Sequence, residues 1–107
     1  MIQVVYHRKF HRLNIEGHAQ AGEHGHDLVC SAASILAYTL ANAVLNMADC
    51  GQVRDTKVNL KEGKGEVSCR PPHKYNAPVT LIFDSICAGF ELLAGAHPEN
   101  ISYEVRG

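Results

Sequence analysis

Apolar residues alternate with polar ones over the first sixteen positions of the chain. Two runs show this pattern, Ile2, Val4 and Tyr6, followed by Phe10, Leu13 and Ile15. A period of two is typical of a strand with one buried face, and a tight basic turn near Arg8 and Lys9 separates the runs. The pattern therefore predicts an N-terminal β-hairpin that ends at Glu16.

A long uncharged segment follows, from Leu28 to Ala48. Polar residues recur in it at steps of three and four, at Ser31, Ser34, Tyr38, Asn42 and Asn46. This spacing indicates a helix with one narrow polar stripe, and Gly51 suits a left-handed C-terminal cap. We expect a central, largely buried helix and not a membrane span.

The second half of the chain predicts two strands, at 56–60 and 65–70, joined by a turn over residues 61–64. Asn76 is the predicted N-cap of a second helix, which Gly95 and Pro98 end. The expected buried face of this helix comprises Val79, Ile82, Phe83, Ile86, Phe90 and Leu93. Alternation at Ile101, Tyr103 and Val105 predicts a last strand. The expected fold is α+β in the order ββαββαβ, a single β-sheet covered by two α-helices, in one domain over residues 1–107.

Composition narrows the class of protein. The 107 residues carry a formal net charge of −1, which gives no overall attraction to nucleic acid, so direct nucleic-acid contact is not expected. The first residues lack the pattern of a secretory signal, which favours the cytoplasm. The four cysteines contain no C-x-x-C pair, so reduced thiols are expected, and Cys50, Cys69 and Cys87 are interpreted as structural.

His18 and Cys30 are the candidate chemical groups. They are twelve residues apart, with His18 near the start of a loop at 17–26 that contains Gly17, Gly22 and Gly25, and Cys30 shortly after its end. With Asp27 as N-cap, Cys30 falls in the first turn of the long helix, where the helix dipole and a nearby imidazolium both favour a thiolate. This arrangement suits a Cys/His nucleophilic site, whereas the alternative is that Cys30 is a small core residue.

The roles of two neighbouring residues stay open, and a competing kind of site has to be compared with the Cys/His pair. Asp27 either caps the helix or orients His18, and Ser34 either bonds near the site or only begins the polar stripe. A zinc site is the competing arrangement, although its spacing fits no standard pattern. Its ligands would be His18, His24, His26 and Cys30. Metal binding is therefore not expected.

The segment GHAQAGEHGHDLVCSAAS resembles the signature of the ribosomal-processing cysteine protease family, and the ββαββαβ layout resembles that family over the whole chain. The resemblance implies a peptidase with Cys30 as nucleophile, His18 as general base and Asp27 in support. It also implies a flexible lid that includes Gly22 and Gly25, a homodimer and no cofactor. Departures occur at Gln20 and Ala21, which puts loop contacts to substrate in question, and at Leu28, a conservative change.

The substrate implied by this resemblance is the short N-terminal extension of a bacterial large-subunit ribosomal protein. The alternative function is a non-catalytic ribosome-associated binding protein. It would use a basic hairpin that carries His7, Arg8, Lys9, His11 and Arg12, although solvated turn charges are the commoner explanation of such residues.

Overall fold

The chain folds in the predicted order of elements. A computed structural model describes residues 1–18 and 28–107. The strands are β1 Ile2–His7, β2 Arg12–Glu16, β3 Arg54–Lys61, β4 Lys64–Arg70 and β5 Ile101–Arg106, and the helices are α1 Leu28–Asp49 and α2 Asn76–Ala96. This confirms the α+β class and the order ββαββαβ. Asp27, Gly22, Gly25 and most of the predicted loop lie outside the described residues.

The five strands form one sheet in the order β3-β4-β2-β1-β5. All neighbouring pairs are antiparallel except β1 and β5, which are parallel. Glu16 pairs with Gln3 on one side and with Lys64 on the other. The ends of β2 and β3 and the starts of β1 and β4 therefore lie together, at what we call the upper end of the sheet. The lower end carries His7.

Both helices cover the same face of the sheet. α1 contacts β3 and β4, α2 contacts β5, and the helices contact each other. The alternation in β1 explains this layering, because Ile2, Val4 and Tyr6 are buried whereas Gln3 on the other face is exposed. The opposite face of the sheet is mostly exposed and polar, so the fold has two layers and one core.

α1 is less buried than the sequence predicts. Seven of its residues are buried, namely Val29, Ala33, Ala37, Leu40, Ala41, Val44 and Met47. The predicted polar stripe is exposed, but Ile35 and Leu45 are also 64% and 47% exposed. The expectation of a largely buried helix is wrong because the sheet and α2 cover one side of α1 only. By length and composition alone, 28–49 and 73–96 also qualify as membrane spans, a test that core helices of soluble proteins pass as well.

The start of α2 differs from its prediction. Asn76 is the first helical residue and not the N-cap, since a 3-10 turn at His73–Tyr75 runs directly into the helix and the Asn76 amide donates to the His73 carbonyl. The helix continues through Gly95 to Ala96. Its predicted apolar face packs on the core, with Phe83 among the most buried residues.

The predicted β-hairpin contains a 3-10 turn at Arg8–Phe10. The sequence predicts Phe10 in the second strand, but it belongs to this turn and is 62% exposed. Beside the turn, at the lower end of the sheet, Tyr6 and Arg8 both bond to Asp84 of α2. The hydroxyl of Tyr6 donates to Oδ1 over 2.8 Å, and Nε and Nη2 of Arg8 donate over 3.0 to 3.2 Å. This cluster ties the hairpin to α2.

Candidate active site

A cleft of about 750 Å³ opens at the upper end of the sheet, between the start of α1 and the ends of the strands. This volume lies in the range of ordinary ligand pockets. Residues from β1, β2, the segment just after β2, α1 and the β3–β4 turn line it. They include His18 and Cys30, so the structure brings the two candidate chemical groups to one cleft.

Cys30 is the third residue of α1 and is half-buried in the wall of the cleft. A side chain in the first turn of a helix experiences the positive end of the helix dipole, which favours a thiolate over a thiol. The predicted cap that would begin the helix, Asp27, lies outside the described residues. The position of Cys30 on the helix agrees with the prediction.

The other three cysteines lie away from the cleft. All four are within the described residues, and none forms a disulfide. Burial raises the pKa of Cys69 to about 11 and that of Cys87 to about 12. Both therefore remain protonated thiols at neutral pH, which fits their interpretation as structural. Cys50 is exposed just beyond the end of α1, at the end of the helix opposite Cys30.

Gly17 explains why His18 sits where it does. Its φ is +98°, a left-handed conformation, and a Cβ placed on it would collide with the carbonyl oxygen of Met1. Its amide donates to the carbonyl of Gly63 over 2.9 Å. Only glycine fits this backbone position. The chain thus leaves β2 through one fixed residue and presents His18 at the cleft immediately afterwards.

The β3–β4 turn is the wall of the cleft that sequence reasoning did not assign to the site. A Cβ added to Gly63 would lie 2.8 Å from Nε2 of His18, so the imidazole rests against this turn. The sequence predicts the turn correctly but not that the turn lies beside His18. That proximity follows from the sheet order, because β4 pairs with β2 and begins where β2 ends.

The remaining lining residues divide into a polar wall and an apolar floor. Ser34 is exposed in the cleft one turn beyond Cys30, and its role beside the site stays a prediction. The floor is mainly aliphatic and includes Ile2, Ile15 and Leu60. Within residues 1–18 and 28–107, no group of three His, Cys, Asp or Glu side chains is arranged to hold a metal ion. His24 and His26 of the alternative zinc set fall outside those ranges.

The basic hairpin of the alternative hypothesis is only partly available to a ligand. Arg8 is engaged by Asp84. His11 is 5% exposed and its Nε2 lies 2.7 Å from Oγ1 of Thr80. Burial lowers the pKa of His11, which favours the neutral imidazole. The interpretation of His11 as a surface charge is therefore wrong, because its ring lies against Thr80 and Phe83 of α2.

Several known proteins are similar to this chain. The ribosomal processing cysteine protease Prp of Staphylococcus aureus (strain Mu50 / ATCC 700699) is 26% identical over 87 residues, which are 81% of this chain and 78% of the relative. The same description applies to a relative from S. aureus strain NCTC 8325 / PS 47, with equal identity and coverage.

Solved structures share the fold. The essential ribosomal processing protease Prp of S. aureus, in complex with a covalently linked product peptide, has a TM-score of 0.74 at 22% identity and covers 98% of this chain and 97% of its own. A Streptococcus mutans protein has a TM-score of 0.75 at 27% identity, covering 99% and 94%. The family described as cysteine protease Prp matches residues 1–102. The chain therefore belongs to the cysteine protease Prp family and is itself a cysteine protease.

Proposed function

We propose that this protease removes the short N-terminal extension of a bacterial large-subunit ribosomal protein, with Cys30 as nucleophile and His18 as general base. The observation that carries the proposal is that one cleft contains both the imidazole and a thiol in the first turn of a helix. The name of the S. aureus relatives, ribosomal processing protease, supports the substrate class. The reaction belongs in the cytoplasm, where a catalytic thiol stays reduced.

The chemistry needs two side chains. His18 takes the proton of Cys30, and the thiolate attacks the carbonyl carbon of the scissile peptide bond. His18 then donates that proton to the leaving amine, which leaves a thioester between the sulfur and the acyl part of the substrate. A water molecule gives a proton to His18 and its hydroxide to the thioester carbon. This last step releases the acid product and restores the thiol.

The cleft has the chemistry to hold an extended peptide with apolar side chains. Its floor of Ile2, Ile15 and Leu60 offers apolar surface for aromatic residues of a substrate. β3 is an outer strand of the sheet and borders the cleft through Leu60 and Lys61, so an extended segment can add beside it. Recognition then combines main-chain hydrogen bonds with side-chain pockets.

The test is cleavage of the purified ribosomal protein carrying its N-terminal extension. Cys30→Ser should abolish cleavage, and His18→Ala should lower kcat by roughly 10²–10⁴-fold, the usual contribution of a general base. Cys50→Ser is the matched control, since it removes an exposed thiol outside the cleft and should leave kcat unchanged. Full activity of His18→Ala, or loss of activity in Cys50→Ser, would contradict the proposal.

The non-catalytic binding alternative is set aside, because the family is one of cysteine proteases. The basic surface that this alternative would use for binding also has fewer unpaired charges than the sequence suggests. Arg8 is paired with Asp84, and Arg12 lies 3.5 Å from a carboxylate oxygen of Glu66.

We further propose that the protein is a homodimer that packs through α1. Six solvent-facing residues of this helix recur at spacings of three and four, as in the seam of a coiled coil, namely Leu28, Ser31, Ile35, Tyr38, Asn42 and Leu45. A two-fold interface places one patch against its own copy, so charge in it would repel. The helix has none from Leu28 to Ala48, which suits a second copy of this chain.

Sedimentation equilibrium tests this interface. Ile35→Glu places a charge in the middle of the seam and should convert the dimer to a monomer. Leu92→Glu is the matched control, because Leu92 is 75% exposed on α2, and it should leave the dimer intact. If Leu92→Glu dissociates the protein and Ile35→Glu does not, α2 forms the interface instead.

A further inference from the structure

The β3–β4 turn contains a residue whose backbone conformation favours glycine. β3 ends at Lys61 and β4 begins at Lys64, so two residues, Glu62 and Gly63, make the turn. Gly63 has a φ of +79°. A positive φ at the third position is the requirement of a type II turn, and L side chains rarely adopt it. Conformation alone therefore accounts for a glycine here.

The surroundings of Gly63 add a second requirement, which conformation does not explain. A Cβ at this residue would lie 2.8 Å from Nε2 and 3.2 Å from Cε1 of His18. The carbonyl of Gly63 also accepts the amide of Gly17 over 2.9 Å, which holds the backbone just before His18. The turn therefore holds the backbone at Gly17, just before His18, and also lies against the ring of His18.

We propose that Gly63 is a positioning residue for His18. Because residue 63 has no side chain, the backbone of the turn contacts the imidazole ring directly and limits its movement; we call this contact the seat of the ring. The proposal rests on the proposed function, in which His18 transfers the proton of Cys30. His18 is otherwise exposed, and an exposed side chain exchanges among rotamers. A seat restricts that exchange. Such restriction matters because a displacement of about 1 Å at a reacting group can cost a 100-fold loss of rate.

A side chain at residue 63 should displace the ring and leave the turn folded. The atoms that a Cβ would meet belong to the far end of the His18 side chain and not to its backbone. Rotation about the side-chain bonds of His18 relieves the overlap without moving either strand. The expected effect is thus on proton transfer, with little effect on the apolar floor that holds the substrate.

Gly51 provides a matched control for the strain of a positive φ. Its φ is +71°, close to that of Gly63, but a Cβ there would meet nothing within 4 Å. Gly51→Ala therefore reports the cost of the backbone conformation alone. Gly63→Asn is a second variant, because asparagine tolerates the left-handed region better than alanine while still introducing a Cβ beside the ring.

The experiment measures kcat, KM and thermal midpoint for the four proteins, wild type, Gly63→Ala, Gly63→Asn and Gly51→Ala, on the same peptide. We expect kcat to fall roughly 10- to 100-fold in both Gly63 variants with KM within about twofold, in line with a misplaced catalytic group. Gly51→Ala should keep the wild-type kcat. Its thermal midpoint should fall as far as that of Gly63→Ala, and Gly63→Asn should fall less.

Alkylation of Cys30 gives a readout that a purely structural role would not move. In the Gly63 variants the rate of reaction with iodoacetamide should lose the dependence on pH that His18 confers. In a His18→Ala background, adding Gly63→Ala should change that rate no further. Equal kcat values for Gly63→Ala and Gly51→Ala, a change confined to KM, or additive effects with His18→Ala would overturn the positioning role. Full activity of His18→Ala would overturn the proposed function, and the positioning role with it.

Discussion

The most quantitative prediction concerns Asp84, which accepts hydrogen bonds from Tyr6 and Arg8 at the lower end of the sheet. The perturbation is Asp84→Ala, compared with Asp84→Asn. Alanine removes the acceptor of the Tyr6 hydroxyl together with the charge that pairs with Arg8. Asparagine removes the charge but keeps an oxygen where Oδ1 stands, so it separates the two contributions.

The magnitudes follow from exposure. The side chains of Arg8 and Asp84 are 49% and 37% exposed, so their ion pair contributes only about 0.2–1 kcal/mol. Tyr6 is 1% exposed, and a buried hydroxyl left without a partner costs about 1–3 kcal/mol. Asp84→Ala should therefore lower the free energy of unfolding by about 1–4 kcal/mol, and Asp84→Asn by less than about 1 kcal/mol.

A double-mutant cycle measured by urea unfolding checks this division. In a Tyr6→Phe background the hydroxyl is absent, so Asp84→Ala should cost only the ion pair, and the cycle should show a coupling of about 1–3 kcal/mol. Additivity within about 0.5 kcal/mol would show that the Tyr6 bond contributes nothing to stability and would refute the reasoning.

The pH dependence of these variants carries a definite sign. The hydrogen bond from Arg8 is the main reason that the pKa of Asp84 lies below its usual value. Its contribution to stability is therefore present above the unfolded pKa, near about 4, and is lost as pH falls through the lower folded pKa. Burial raises the pKa of Tyr6, so its hydroxyl stays a donor over this range. The advantage of wild type over Asp84→Asn should be largest near neutral pH and should vanish in acid.

Three further predictions test packing and reactivity. Gly95→Ala should raise the free energy of unfolding by roughly 0.5 kcal/mol, because open space surrounds this helical residue. Gly89→Ala should lower the free energy of unfolding, because its Cβ would lie 2.5 Å from a leucine side chain of α1. Urea unfolding measures both changes. Gly17→Ala should lower the thermal midpoint more than any other single glycine-to-alanine change, since it combines a positive φ with a backbone collision. In native protein at pH 7, mass spectrometry should find Cys30 alkylated by iodoacetamide long before the two buried thiols, and comparable rates would contradict its assignment as nucleophile.

Local patterns in the sequence predict the elements because each periodicity has one physical cause. Strict alternation in β1 corresponds to a strand with one covered face, and the predicted apolar face of α2 is the face that packs on the core. The boundary of a helix is harder to predict where a turn runs directly into it. Asn76 has the chemistry of a cap, yet the preceding 3-10 turn makes it helical, and no composition signal marks that turn.

Contacts between distant segments are harder to derive. The residue types of Cys30 and His18 make them candidates for catalysis. The seat of His18, however, depends on which strand pairs with β2, and several sheet orders are compatible with the same alternation of apolar and polar residues. The uncharged length of α1 indicates burial, whereas the sheet and α2 cover only one of its sides. Residue types therefore indicate the candidate chemistry here, and topology decides its surroundings.

The same topology separates the candidate active site from the polar cluster of Tyr6, Arg8 and Asp84. β1 begins beside the cleft with Ile2 and ends beside Asp84 with Tyr6, so the candidate active site and the polar cluster occupy opposite ends of one sheet. A variant of Asp84 should thus lower the free energy of unfolding while kcat stays unchanged well below the thermal midpoint. Gly63→Ala should do the reverse relative to its Gly51 control, with kcat reduced at matched stability. Because each variant controls for the other, a loss of activity at residue 63 can be attributed to the imidazole and not to general destabilisation.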